Sequence, residues 1–274
     1  MSITLLKGSD LVEYISERQA KQVRALIQSR GITPTLAILI ANPKNLAIQK
    51  YVKFKQARAK QLGISIQIHA PKQDQLEGAI LKLNQDSKVH GIILQLPLEE
   101  ASQTEYFLNL ITPQKDVDAL GEEAVVQPAT AGAILWLLAG YNIELKNKKI
   151  LIIGQGRLVG TPITRLLTEQ NLNLETLDIS ASEQKLKAEI QKADIIISAT
   201  GSPELIKLSY LKDKQVVIDA GTAESGGVLL GDLDPEVYNG DLNLKLTPKV
   251  GGLGPLTISY LFENLIQLID KSKV

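Results

Sequence analysis

The chain contains no cysteine, so it has no disulfide, no thiolate nucleophile and no cysteine-ligated zinc site. Its two histidines, His69 and His90, are too few for a histidine-ligated centre, and no metal is expected. The 30 basic and 30 acidic side chains cancel. With no basic block or arginine-rich arm, neither nucleic acid nor acidic lipid is an expected partner. No apolar run approaches the roughly 20 residues needed to cross a bilayer. The opening "MSITLLKGSDLVEYISERQ" lacks the basic region and long apolar core of a signal peptide. A soluble, cytoplasmic protein is expected.

What is present is a chain of 274 residues, 44% hydrophobic, enough for one large or two ordinary domains. Apolar residues at three- and four-residue intervals predict a helix over Ser9 to Ser29, capped near Ser9 and stopped at Gly31. "TLAILIA" suits a buried strand. "IQKYVKFKQARAKQLG" reads as a helix ending at Gly63, "ISIQIHA" as a strand, "QLEGAILKLNQD" as a helix and "HGIILQLPL" as another buried strand. After "ITPQKDVDALGEE" the alternation restarts with the helix "TAGAILWLLAGYN". The strands "KKILIIG", "LETLDIS", "DIIISATG" and "QVVIDAG" then follow, with helices at "TPITRLLTEQ" and "EQKLKAEIQKA". This βαβαβ succession argues for parallel pairing through right-handed crossovers. The fold class expected is α/β: two α/β domains, the C-terminal one a Rossmann-type doubly wound parallel sheet. Residues 1–120, joined by a final helix over 256–274, would form the first domain and 121–255 the second.

In "IIGQGRLVG" the first glycine follows a strand and the turn opens a helix, the context a dinucleotide fingerprint requires. Glycines let the backbone approach a pyrophosphate, and free N–H groups at the helix start attract it. Gly154, Gly156 and Gly160 are spaced G-x-G-x-x-x-G, one residue longer than the usual fingerprint. Asp178 ends the next strand, roughly 20 residues on, where a carboxylate can accept hydrogen bonds from ribose hydroxyls and repel a 2′-phosphate. Its other reading is a solvent-facing cap for the following helix.

Together "YVKFK", "HGIILQLPL", "ITPQKDVDALG", "IIGQGRLVGTP", "ADIIISATGSPELI", "VVIDAG", "LLGDLD" and "LTPKVGGLGPLT" resemble the bifunctional methylenetetrahydrofolate dehydrogenase/methenyltetrahydrofolate cyclohydrolases, in an order that covers nearly the whole chain. The resemblance implies a folate cleft between two domains and a homodimer. It also implies oxidation of 5,10-methylenetetrahydrofolate with NADP or NAD, then hydrolysis to 10-formyltetrahydrofolate, a one-carbon donor for purine biosynthesis. The first step needs two rings stacked at near-contact distance and no metal. In the matching positions, Tyr51 would stack on folate and Lys55 would be the acid/base. Their four-residue spacing on a helix puts them on one face. Alone, "KYVKFK" reads as a solvated lysine-rich face, and Lys50 and Lys53 remain surface residues. Gln95, at a strand's carboxyl end, would orient Lys55. Asp118 would accept hydrogen bonds from the pterin, its other reading being a linker turn residue; Asp116 is expected to be structural. Gly251, Gly252, Gly254 and Pro255 match the loop that approaches the ligand, with Gly252 and Pro255 at the substrate and Thr257 opening the last helix. The cofactor would be held by Gly154, Gln155, Gly156, Arg157, Val159 and Gly160 of the turn. Asp178 and Ser180 would serve at the second strand, and Thr200 and Gly201 at the third.

Several positions depart from the family pattern. Pro128-Ala129-Thr130-Ala131 replaces a Pro-Cys-Thr-Pro box, and Gln155-Gly156 replaces an Arg-Ser pair. Ile179 stands where a basic or His residue often holds a 2′-phosphate, Lys249-Val250 replaces Val-Pro, and "TAESGG" follows "VIDAG". Nearly all fall in the nucleotide half. They point to NAD in preference to NADP, or to a cyclohydrolase with weak or lost dehydrogenase activity. Two competing readings are a two-domain dehydrogenase of amino or hydroxy acids, which leaves "QLPL" with "KDVD" unexplained, and a non-catalytic paralogue that binds nucleotide or folate. Formate ligation is excluded by the lack of a G-x-x-x-x-G-K-[ST] loop for ATP.

Overall fold

The computed structural model describes residues 3–225 and 228–272. In chain order the elements begin with β1 (Thr4–Leu5), α1 (Gly8–Arg30), β2 (Thr35–Leu39), α2 (Leu46–Leu62), β3 (Ser65–His69), α3 (Leu76–Gln85), β4 (Gly91–Leu94) and α4 (Thr104–Leu110). Then come α5 (Ala129–Gly140), β5 (Lys149–Ile153), α6 (Gly160–Thr168), β6 (Asn173–Leu177), α7 (Glu183–Lys192), β7 (Ile195–Ser198) and β8 (Val216–Asp219). The hairpin strands β9 (Ala223–Ser225) and β10 (Val228–Leu230), then β11 (Lys245–Leu246) and α8 (Leu253–Lys271), complete the chain. No helix among the described residues is long and apolar enough to cross a membrane.

The chain divides into two compact units. One comprises Met1–Leu11 with Thr130–Leu256; the other comprises Val12–Ala129 with Thr257–Val274.

In the second of these units three parallel strands pair in the order β3-β2-β4. The central β2 and its neighbour β4 are buried along their whole length, while the edge strand β3 is partly exposed. That matches the continuous apolar runs "TLAIL" and "GIIL" against the alternating "SIQIH". One face packs Leu39, Ile92 and Leu94 against Leu76, Ile80 and Leu83 of α3 and Phe107 and Leu108 of α4. The segment after α4 returns beside β4, bridging Asp116 to Ile92.

In the first unit six parallel strands pair in the order β1-β11-β8-β7-β5-β6. The chain steps from β5 outward to β6, then crosses back to β7 on the other flank. The strand order therefore reverses at β5, and in open α/β sheets ligands bind at the carboxyl ends flanking such a reversal. Leu151, Ile153, Ile196 and Val217 pack beneath Leu186 and Ile190 of α7.

The strands and long helices read from the sequence are present and parallel. Corrections concern short or irregular pieces. The two-residue strands β1 and β11, the hairpin β9–β10 and the seven-residue α4 are too short to show a clear period. The last helix starts at Leu253, not Thr257, so Gly254 and Pro255 lie in its first turn. Proline is tolerated there because the N–H it lacks has no intrahelical partner.

Candidate active site

Asn45 caps α2 by accepting from the Ile48 amide at 3.0 Å, and Gly63 ends it in the left-handed region at φ 78°. The buried residues of this helix are Ile48, Val52, Lys55, Ala59 and Leu62, one stripe at helical spacing. Lys55 thus occupies a core position in an otherwise apolar stripe, with 6% of its surface exposed. Its Nζ donates to Gln95 Oε1 at 2.7 Å. Gln95 follows β4 directly, and its amide donates to the Leu39 carbonyl at 2.9 Å, so the carboxamide acceptor is aimed by the sheet. Tyr51 lies four residues before Lys55 and is half-buried, whereas Lys50 and Lys53 are exposed.

Two charged groups act on each other here. Burial lowers the Lys55 amine well below the ordinary lysine value, and the Asp118 carboxylate partly offsets this by raising it. Burial likewise raises Asp118, and Lys55 lowers it in return. Both groups are therefore shifted toward their neutral forms. The loop that carries Asp118 is clamped on either side. Asp116 accepts from the amides of Ala119 and Gly121, both at 2.9 Å; burial pushes its carboxyl up to about 6 despite those donors. From α8, Asn264 Nδ2 donates to the carbonyls of Val117 and Gln127, both at 2.8 Å. Asp116 thus spends its carboxylate on the backbone of its own loop.

The remaining residues lie in the six-stranded unit. Gly154 ends β5 at φ 87°, and its amide donates to the Leu177 carbonyl at 2.8 Å. A Cβ on Gly160 would stand 1.9 Å from the Gly154 carbonyl oxygen, so these two glycines are packed backbone to backbone. Gly156 has open space around it, so the middle glycine of the spaced motif is not sterically required. The Gln155 carboxamide accepts from Thr164 Oγ1 at 3.1 Å and donates to the Gly154 carbonyl at 3.3 Å, holding it within the turn. The start of α6 is partly spent: Thr161 and Ile163 donate to Gly156 and Val159 carbonyls, and Pro162 has no N–H. A phosphate would rely on the amides of the turn more than on this helix start. Arg157 is exposed and Val159 half-buried.

Asp178 is exposed and accepts from the Ser180 amide at 2.9 Å; hydrogen bonds from Ser180 lower its pKa. The cap of α7 is Ser182, which accepts from Lys185, so Asp178 does not fill that role. Ile179 beside it is 54% exposed. Thr200 and Gly201 follow β7, with the Thr200 amide donating to Asp232 at 2.9 Å. Gly252 borders the start of α1: the Ser9 amide donates to the Gly251 carbonyl at 3.1 Å, and a Cβ on Gly8 would meet the Gly252 oxygen at 2.0 Å. Asp219, Asp232 and Ser198, which organise this end of the sheet, were not singled out from the sequence. Ser198 and Asp219 each end an apolar strand, a hydroxyl and an acid where the sheet stops; Asp232 follows a loop glycine and carries no such signal.

Comparison with known proteins agrees with both halves. A family model for the catalytic domain of tetrahydrofolate dehydrogenase/cyclohydrolase matches residues 6–118, and one for its NAD(P)-binding domain matches residues 128–273. The bifunctional protein FolD of Lactobacillus acidophilus is 35% identical over 278 residues, with 96% of each chain covered. Among solved structures, the FolD dehydrogenase/cyclohydrolase of Campylobacter jejuni superposes with a TM-score of 0.90 at 30% identity, covering 99% of this chain and 100% of that one. The FolD enzyme of Trypanosoma brucei, complexed with NADP and an inhibitor, gives 0.91 at 26% identity with 99% of each covered. The chain belongs to the tetrahydrofolate dehydrogenase/cyclohydrolase family.

Proposed function

We propose that this chain oxidises 5,10-methylenetetrahydrofolate and hydrolyses the resulting methenyl compound to 10-formyltetrahydrofolate, with the three-stranded unit carrying the hydrolysis chemistry and the six-stranded unit holding the nucleotide. The observation that carries the reading is the buried Lys55 amine bonded to Gln95 within the field of Asp118.

When bound, a nicotinamide dinucleotide supplies the hydride acceptor that turns the one-carbon bridge into a methenyl cation shared by two nitrogens. The residues present suit such a group: a tight Gly154–Gly160 turn at the strand-order reversal, with an ionised carboxylate at the end of β6. In the second reaction water adds to the methenyl carbon. Lys55, pushed toward its neutral form by burial, takes a proton from that water as the C–O bond forms and returns it to the ring nitrogen as the C–N bond breaks; the hydroxyl proton leaves as the formyl carbonyl forms, and the ring opens. The Gln95 oxygen holds the amine in place for both transfers. Asp118 accepts from the pterin N–H groups, and Tyr51 stacks on its rings. Lys55→Met is expected to abolish methenyl hydrolysis in a folded protein; an unmodified rate overturns the assignment.

We read the cofactor as NAD in preference to NADP, because Asp178 is ionised and its exposed neighbour is Ile179 and not a base. The ratio of kcat/KM for the two cofactors tests this, and a strong NADP preference refutes it. A second reading, a cyclohydrolase with weak dehydrogenase activity, is favoured by the Gln155 carboxamide being consumed inside the turn while the Lys55 pair is intact. Assaying both reactions on one sample separates the two. A homodimer, a cytoplasmic setting and a role in purine biosynthesis are proposed from the family resemblance.

A further inference from the structure

Two carboxylates take no part in the chemistry above, yet each accepts three hydrogen bonds. β7 and β8 pair so that Ser198 lies opposite Asp219 at their carboxyl ends. The Asp219 carboxylate accepts from the amides of Gly221 at 3.0 Å, Asp232 at 3.1 Å and Leu233 at 3.1 Å. Asp232 is fully buried. It accepts from Ser198 Oγ at 2.6 Å, the Thr200 amide at 2.9 Å and the Ser202 amide at 3.0 Å. None of the ion pairs among the described residues involves either acid, so six fixed donors, not a cation, offset two buried like charges.

The surroundings leave no slack. A Cβ on Gly221 would lie 2.0 Å from Asp232 Oδ1, and one on Gly231 would lie 2.1 Å from Asp219 Oδ2. The segment that Asp232 grips reaches the dinucleotide turn, for a Cβ on Gly154 would lie 2.7 Å from the Ala199 carbonyl oxygen. The link runs from Asp219 through the Asp232 backbone, across the Asp232 carboxylate, into Ser198–Ser202 and onto Gly154.

We propose that Asp232, backed by Asp219, is a positioning residue for the nicotinamide cofactor: it sets the Thr200–Gly201 backbone against the Gly154 turn at the carboxyl ends of β5 and β7. This deepens the nucleotide reading given above and rests on it. Neither acid touches a reacting atom; both act through the loop. Burial, opposed by its backbone donors and reinforced by the Asp232 charge, pushes the Asp219 carboxyl up to about 6. The titratable groups facing Asp219 are Asp232 and the Tyr238 phenol, which burial and the Asp219 charge raise; Lys249 Nζ lies 4.9 Å from the centre of the Tyr238 ring. Protonating Asp219 takes away acceptor capacity for the Gly221, Asp232 and Leu233 amides and frees the anchor of the loop.

The test compares the full chain with Asp232→Asn and Ser198→Ala. NADH binding is followed by fluorescence from about pH 5 to about pH 8, and methenyl hydrolysis is assayed alongside. NADH is chosen because it lacks a phosphate monoester, which would titrate near pH 6. Asp232→Asn presents a donor to amides that also donate, and is expected to weaken NADH about tenfold; Ser198→Ala, which removes one of three donors, weakens it about threefold. Both leave hydrolysis within about twofold, since that chemistry belongs to the other unit. Wild-type affinity falls as pH drops through about 6, and in Asp232→Asn this inflection moves to lower pH because the like charge is gone. Unchanged affinity with an unmoved inflection overturns the proposal. So does a parallel loss of hydrolysis and binding in both variants, which would mark a general folding role. A wild type that binds neither NADH nor NADPH overturns the nucleotide reading itself.

Discussion

Lys55 and the Asp219–Asp232 pair are both buried titratable groups, but they are held in opposite ways. Among the described residues Lys55 has one hydrogen-bond partner, the neutral Gln95 oxygen, with the Asp118 carboxyl nearby. The two aspartates face a like charge and are saturated by six donors, five of them backbone amides. A group with one yielding partner can release and regain a proton without breaking its surroundings. A group accepting from three fixed donors cannot change charge without loosening the chain that supplies them. Burial alone does not mark a catalytic group; the number of rigid partners separates chemistry from architecture.

The sharpest way to break this comparison is to remove each charge in turn. Lys55→Met should reduce methenyl hydrolysis by roughly 10²–10⁴ while leaving NADH affinity unchanged, whereas Asp219→Asn should leave hydrolysis intact. Loss of hydrolysis in both would erase the distinction. A smaller effect separates the two glycines of the turn. Gly160→Ala forces a Cβ to 1.9 Å from a backbone oxygen and should cost about 3 kcal/mol in denaturant unfolding, with nucleotide binding lost. Gly156→Ala, in open space, should be neutral or stabilise by about 0.4–1 kcal/mol. Equal costs would show that the turn is not packed as described.

A further effect is a pH dependence. The folded Asp219 carboxyl titrates near 6 and an unfolded aspartate near about 3.9, so the native state binds the extra proton between those values. The resulting stabilisation is present below about 3.9 and is lost as pH rises through about 6. The stability difference between wild type and Asp219→Asn should therefore shrink by of order 2 kcal/mol from about pH 4 to about pH 7. A difference that stays flat would show that Asp219 is not perturbed.

Much of the scaffold was readable in the sequence because continuous apolar runs and 3.6-residue spacing report burial directly. β2, β4, β5 and β7 announce themselves as such runs. Lys55 was more legible than "KYVKFK" suggests, since a lysine in register with Ile48, Val52, Ala59 and Leu62 interrupts the core face of α2. Its pairing with Gln95 and Asp118 came from family resemblance, because no local pattern encodes contact between residues 40 positions apart. What escaped was long-range or short. β1 is two residues long and exists through pairing with β11, at the far end of the chain. The Asp232 network draws donors from residues about 30 positions away, and nothing around "GDLD" hints at them. The start of α8 was misplaced because glycine and proline read as loop, while Pro255 in a first turn breaks no bond.

The central claim is that burial holds the Lys55 amine ready to accept a proton, with Asp118 as the counterweight. The most direct measurement is an NMR titration of the lysine ε-methylene carbons, with the Lys55 signal assigned by its loss in Lys55→Met. The midpoint is expected below the ordinary lysine value of about 10.4, moving lower still in Asp118→Asn as the raising charge is withdrawn. A midpoint at the ordinary value, unmoved by that substitution, would contradict it.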